Sequence, residues 1–313
     1  MIVTLTLNAA VDKAYHLSGT VQPGTVMRVQ SSSNTAGGKG LNVARVVKLC
    51  GEEVIASGLA GGKTGEQLEQ LAYRDGLISR FVHVKAETRC CINILDRNHL
   101  STEFLEPGEE VTESEMERFM KEFEKICVDA QIVTMSGSVP RGVRKDIYRE
   151  LVEKVKGWGK KVILDTSGEL LREGIEAKPD MIKPNQEELS LFFGRPMDSL
   201  EDVKSAAREL CGLGIENVVV SLGKEGAVLA CSHGVFYGKP PVIQAVNTVG
   251  CGDSMVAALA VSFCRGYTPE ESLRYAVAVS AANALSLRTG YFETEKMKHI
   301  YPGVTMRDVS EPD

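Results

Sequence analysis

Apolar and polar positions divide the chain into short β-like runs and longer helical periods. Ile2 to Leu7 is a strand-like run, and from about residue 105 strands and helices alternate. Thr112 to Glu115 reads as a capping box, and Met116, Phe119, Phe123 and Ile126 share one face of the helix behind it. Ile132–Met135 predicts a strand, about Lys145 to Gly157 a helix, and Val162–Leu164 and Met181–Ile182 two more strands. Helices through Glu188 and Phe192 and over Ala206–Leu210 precede a strand at Val218–Ser221, after which the chain turns at Gly223 and Gly226. The last third reads as helical, Gly252 to Cys264 and Thr268 to Ser286. Thr268, Pro269 and Glu271 supply the N-cap, the N1 proline and the capping-box acid of the second helix. The polar tail after Tyr301, with Pro302 and Pro312, is expected to fray.

This alternation predicts an α/β fold, a mainly parallel sheet covered by helices on both faces. Ligands of such sheets bind beyond the carboxyl ends of the strands. Two segments break the rhythm. Residues 11–31 and 85–105 are rich in Val, Thr and Ile without a helical period, and Thr88–Leu95 reads as a strand beside Ser101–Leu105. They predict a small antiparallel subsheet inserted in a single domain of residues 1–313, whose core is 1–10, 32–84 and 106–313.

Composition narrows the partners. With 43% hydrophobic and 25% charged residues the chain is ordinary for a globular protein, and a net charge of −6 gives no long-range attraction for nucleic acid or acidic membranes. Anionic ligands would have to be held by a few local cations and backbone N–H groups. The eight cysteines form no C-x-x-C pair and several sit in apolar runs, so reduced thiols and a cytoplasmic location are expected. No signal peptide is visible, and the longest apolar stretches, such as Met255 to Cys264, are too short to span a bilayer.

The most informative stretch is Asn247-Thr-Val-Gly-Cys-Gly-Asp-Ser254, which leads into an apolar helix. Gly250 and Gly252 permit a tight turn, and the first N–H groups of the helix point outward as an anion site. Asp253 beside such a site suits phosphoryl transfer to an alcohol: the amides stabilise charge while the carboxylate takes the hydroxyl proton. Gly252-Asp253-Ser254 also fits a simple helix cap. A second cluster, Ala36-Gly-Gly-Lys-Gly-Leu-Asn-Val-Ala44, offers Lys39 to a phosphate and Asn42 to sugar hydroxyls, or is a flexible turn with a solvated lysine. A third, Gly61-Gly-Lys-Thr-Gly65, is not a Walker A loop, because Ser57 stands where that loop needs glycine. It reads as a strand-to-helix turn near the sugar site. In Lys183-Pro-Asn-Gln-Glu-Glu188, the three-residue spacing of Asn185 and Glu188 suits Mg²⁺ held largely through water, and equally an N-cap with its box partner. Asp12, after the first strand, could accept bonds from sugar hydroxyls, and Arg28 and Arg89 in the off-rhythm segments could clamp a second phosphate.

Together these stretches resemble the ribokinase-like PfkB carbohydrate kinase family. Gly37–Ala44 is similar to its N-terminal signature and Thr248–Ser254 to its C-terminal one. Asp12, Ser136-Gly-Ser138, Ile182-Lys-Pro-Asn185 with Glu188, and Ser221-Leu-Gly-Lys-Glu-Gly226 follow in the family's order. The resemblance implies a Rossmann-like three-layer α/β/α core with a β-sheet lid, often paired into a dimer. It implies Asp253 as base, with the turn Gly250–Asp253, through Cys251 and Gly252, as the anion hole. Lys183, Asn185 and Glu188 would serve Mg²⁺ and the ATP phosphates, and Ser221, Gly223, Gly226 and Asn283 would border the nucleotide. Asp12, Gly38, Lys39 and Asn42 would hold the sugar, and Arg28, Arg89 and Ser138 its existing phosphate. Leu5–Asn8 with Val11-Asp12, Glu87–Ile92 and Thr102–Glu106 are most similar to the tagatose-6-phosphate kinase and 1-phosphofructokinase branch. The form Thr88-Arg-Cys-Cys-Ile92 and Thr289-Gly-Tyr291 lean toward tagatose 6-phosphate as acceptor, with fructose 1-phosphate as the alternative. Ala9, where proline is common, and Cys251, where a small Ala is usual, depart from the pattern. A non-catalytic sugar-phosphate sensor is the competing class, opposed by the joint presence of Asp253, Asn185 and Glu188. A nicotinamide oxidoreductase lacks its G-x-G-x-x-G after the first strand.

Overall fold

The computed structural model describes residues 1–98 and 100–311. In chain order the elements are β1 (Ile2–Thr6), β2 (Ala10–His16), β3 (Ser31–Gly37), α1 (Lys39–Leu49), β4 (Val54–Gly61), α2 (Gly62–Arg74), β5 (Ile78–Val84), β6 (Arg89–Leu95) and β7 (Ser101–Leu105). Then follow α3 (Glu113–Cys127), β8 (Ile132–Ser136), α4 (Ile147–Gly157), β9 (Lys161–Asp165), α5 (Gly168–Glu176), β10 (Met181–Ile182), α6 (Gln186–Phe193), α7 (Leu200–Gly212) and β11 (Asn217–Ser221). The chain closes with β12 (Ala227–Cys231), β13 (Gly234–Lys239), α8 (Cys251–Arg265), α9 (Pro269–Ala284), α10 (Thr294–Ile300) and β14 (Thr305–Asp308).

Among the described residues ten strands form one sheet, in the order β14-β13-β12-β11-β10-β9-β8-β1-β4-β5. From β11 to β5 every pairing is parallel, as alternating strands and helices require. The central strands are apolar on both faces because helices cover both. Val3, Leu5, Val133 and Met135 pack toward α3, α4 and α7, whereas Ile2 and Ile132 pack toward α1, α8 and α9. Three-layer α/β is therefore the observed architecture. The capping boxes expected at Thr112/Glu115 and Thr268/Glu271 are both formed.

Several expectations are corrected. The tail does not fray after Tyr301: Thr305–Asp308 pairs antiparallel with β13 as the sheet's edge, supplying polar backbone groups that β13 would otherwise leave open. Residues 312 and 313, with Pro312, lie outside the described residues. The four-stranded second sheet, ordered β3-β2-β6-β7, is not purely antiparallel, because β2 and β6 run parallel. It also continues through β3 to Gly37, where Ser-rich sequence had no apolar alternation to betray a strand. No described helix is long and apolar enough to cross a membrane, and all eight cysteines are free thiols.

Candidate active site

The ends of five parallel strands converge on one cavity of about 1030 Å³. Thr6 and Asn8 follow β1, Ser136 and Ser138 come from β8, Thr166 from β9, Lys183 and Asn185 from β10, and Ser221 from β11. Parallel strands aim all their carboxyl ends at the same side of the sheet, and helices begin there with unpaired amides. The second sheet overhangs this side, contributing Asp12, Arg89, Cys91, Glu103 and Leu105 to the wall.

Asp253 lies in the first turn of α8, with 7% of its surface exposed, and lines the cavity. Gly250 precedes the helix at φ +81°, a left-handed conformation that L side chains disfavour. The Cys251 N–H turns back to the Thr248 carbonyl at 3.3 Å, whereas those of Gly252 and Asp253 have no protein partner among the described residues. Within the expected Gly250–Asp253 turn, the amides of Gly252 and Asp253 are therefore free for an anion, whereas that of Cys251 is not. Asp253 Oδ2 accepts the Asn42 Nδ2–H bond at 2.7 Å, which locks one face of the carboxylate. Burial pushes its carboxyl above the ordinary carboxylate range, Lys39 pulls it back, and Asp165 pushes it up further.

Behind this acid sits a group that sequence reading passed over. Asp165, at the carboxyl end of β9, is 1% exposed and lies 3.3 Å from both Lys39 Nζ and Lys183 Nζ. Burial would raise its carboxyl, yet the two lysines outweigh burial and hold it low. Lys39 is correspondingly raised, chiefly by Asp165. One buried anion therefore fixes two cations at the cavity floor. Its position, a lone acid closing an apolar strand of a parallel sheet, was the signal available.

On the opposite wall Asn8 ties the expected sugar-phosphate residues together. Its Nδ2 donates to Ser138 Oγ at 3.1 Å, and its carbonyl accepts from Arg89 Nε at 3.1 Å. Asp12 faces the same space; burial pushes its carboxyl up to about 6 against the pull of Arg45 and Arg89. Gly38, Lys39, Asn42, Gly223 and Gly226 also line the cavity.

Three candidate residues fall elsewhere or act differently. Arg28 is exposed in the segment between β2 and β3 and is not among the residues that line the cavity. Asn283 is fully buried; its Nδ2 donates to the Val249 carbonyl at 3.1 Å and its Oδ1 accepts from Tyr291 N–H at 3.2 Å, so it supports the turn before α8 from behind. Asn185 and Glu188 close a reciprocal capping box at 2.8 Å each way. The carbonyl oxygen of Asn185 is thereby engaged by a helix amide, leaving its NH₂, a donor suited to phosphate oxygen rather than to a metal. The Gly61–Gly65 turn is a strand-to-helix junction as expected, but it too lies outside the cavity.

The resemblance also implies Mg²⁺. Among the described residues no group of three or more His, Cys, Asp or Glu could hold a metal. The Glu188 carboxylate, on the cavity wall, is the group that would neighbour such an ion.

Residues 5–296 match the model of the pfkB family carbohydrate kinases. Among solved structures, phosphofructokinase-2 from Escherichia coli in complex with potassium is 32% identical, with a TM-score of 0.91 over 96% of this chain and 98% of that one. A possible 1-phosphofructokinase from Thermotoga maritima is 25% identical, with a TM-score of 0.86 over 99% of each chain. Ribokinase from the same organism, at 21% identity and a TM-score of 0.77 over 96% and 98%, shares the fold. With the family model matching nearly the whole length and a 32% identical phosphofructokinase-2 sharing the fold throughout, the chain belongs to the pfkB family of carbohydrate kinases, ATP-dependent sugar kinases.

Proposed function

We propose that the protein transfers the γ-phosphoryl group of ATP to a free hydroxyl of a ketohexose phosphate, giving a bisphosphate, with tagatose 6-phosphate as the preferred acceptor. The observation that carries this reading is Asp253, held by Asn42 beside the unpartnered amides of Gly252 and itself. The acceptor hydroxyl loses its proton to the free oxygen of Asp253 as its oxygen bonds to the γ-phosphorus, while the bond from phosphorus to the ADP oxygen breaks. The two amides and the ammonium groups of Lys39 and Lys183 take up the charge spread over the transferring group. Glu188 would neighbour Mg²⁺, which when bound with ATP would supply neutralisation of the phosphate charge. The Asn185 NH₂ donates to a phosphate, and Ser221, Gly223 and Gly226 border the nucleotide. Asp12, Gly38 and Asn42 hold the sugar hydroxyls, and Arg89 with Ser138 holds the phosphate already present.

The preference for tagatose 6-phosphate rests on the Thr88–Ile92 and Thr289–Tyr291 sequences. Fructose 6-phosphate is the second acceptor to weigh, because the 32% identical neighbour is a phosphofructokinase-2. The open edges of the four-stranded sheet at β3 and β7, together with the 59% exposed Phe104, support pairing of two copies through that sheet. ADP release measured side by side with tagatose 6-phosphate, fructose 6-phosphate and fructose 1-phosphate tests the acceptor. A kcat/KM highest for tagatose 6-phosphate is expected, and a higher value for either fructose ester overturns that choice. No turnover with any of them favours the sensor reading.

A further inference from the structure

Arg45 belongs to α1 but not to the cavity wall, and its side chain is 7% exposed, with Asp75 and Asp12 as the carboxylates that act on it. Val43, Ala44, Val46 and Val47 on the same helix are fully buried and carry no charge. A guanidinium in such a place costs more than an apolar side chain of equal volume unless all its donors are used. Here they are directed in three ways. One terminal nitrogen donates to the Ala36 carbonyl at 2.6 Å, just before the Gly37-Gly38 turn, and lies 3.3 Å from Asp75 Oδ2. The other donates to Asn42 Oδ1. Asp75 is in turn 3.4 Å from Arg288, on the segment that packs against Gly250.

The chemistry of the donors settles which way the Asn42 amide faces. A guanidinium has donors only, so the Asn42 atom it meets must be the carbonyl oxygen. The NH₂ then necessarily points the other way, to Asp253 Oδ2 at 2.7 Å. Reversed, the amide would set its oxygen against a carboxylate and its NH₂ against a cation, two repulsions in a buried site. We propose that Arg45 is a positioning residue for the phosphoryl transfer, acting through Asn42 to hold the Asp253 carboxylate with one oxygen hydrogen-bonded and the other free for the acceptor proton. The inference rests on the assignment of Asp253 as base.

Arg45→Lys and Arg45→Ala test it, with ATP and sugar-phosphate kinetics read separately. A lysine can satisfy Ala36 and Asp75 or reach Asn42, but not all three, so kcat should fall about tenfold in the lysine variant and up to about a hundredfold in the alanine variant. KM for ATP should stay within about twofold, since no phosphate contact is lost. Ethylguanidinium added to Arg45→Ala should restore part of kcat, which repair of a merely loosened core would not predict. A folded lysine variant with unchanged kcat overturns the proposal, as does an alanine variant whose kcat ignores ethylguanidinium. If the alanine variant does not fold, the lysine variant alone decides. Asp253→Asn in the same assay separates the two claims: if it retains near-normal turnover the base assignment fails, whereas its inactivity with Arg45 variants at full rate sinks only the role of Arg45.

Discussion

Two glycine-rich turns in this chain open helices, α2 directly after the parallel strand β4 and α8 after a loop from the antiparallel strand β13, and only the second is open to a ligand. At α2, Gly61-Gly-Lys-Thr-Gly65 has the outward look of a phosphate loop, yet the Thr64 N–H already donates to Glu87 Oε1 at 2.6 Å. The anion is supplied by the protein. At α8, the amides of Gly252 and Asp253 have no partner among the described residues and face the cavity. Both turns share the physics of a helix start, which attracts negative charge. What separates them is whether the fold brings its own carboxylate, and that depends on a strand connection more than twenty residues away in sequence.

The comparison can be broken most severely at Asp253. Asp253→Asn removes the proton acceptor but leaves the amides, so kcat should fall by about 10²–10⁴ while ATP affinity, measured by calorimetry, is retained. Gly250→Ala comes next. An added Cβ would meet Thr289 Cγ2 at 2.8 Å and the Gly290 nitrogen at 3.0 Å at a positive φ. A stability loss of about 1–3 kcal/mol by denaturant titration is expected, together with reduced turnover. Glu87→Ala should turn the closed site into an open one. Turnover stays near the parent's, Tm falls, and sulfate raises Tm more in the variant than in the parent. Because the Thr64 amide holds the Glu87 carboxyl below the usual range, the parent's advantage should be present above the ordinary carboxylate pKa and vanish as pH drops through the lowered one.

The smallest effect is at Asp12. Its carboxyl is raised to about 6, so the folded chain binds a proton there more readily than the unfolded chain does. Stability gained from this group therefore grows as pH falls from about 6 toward 4, and ionised Asp12 weighs against folding above 6. Asp12→Asn should accordingly raise Tm slightly at pH 8 and lose that advantage near pH 4. A scan of Tm against pH for both proteins reads the difference.

Much of the core was legible because its signals are local. Capping boxes at Thr112 and Thr268, and apolar runs at residues 132–135 and 162–164, need nothing beyond their own neighbours to declare themselves. The strand β3 was not legible, since Ser31–Ser33 carry no apolar face and are held by pairing with β2. The same holds for β14, whose pairing with β13 joins residues far apart in sequence. Within the site, Asp253 and Asn42 could be picked out from glycine-rich helix starts. Asp165 could not be valued, because its importance arises from Lys39 and Lys183, brought to it by two other strand ends. Arg28 shows the converse: a residue type suited to phosphate, placed on a segment that does not reach the cavity.

The place of β1 in the sheet also bears on how the protein is made. Ile2 lies beside both Val54 and Ile132, so the first strand, β1, becomes an interior strand of the finished sheet. Until β8 has left the ribosome, one flank of that strand has no partner, and closing so long a loop is slow. Nascent chains would spend that interval with one edge of β1 uncovered, so the order of synthesis leaves this strand half-paired longest.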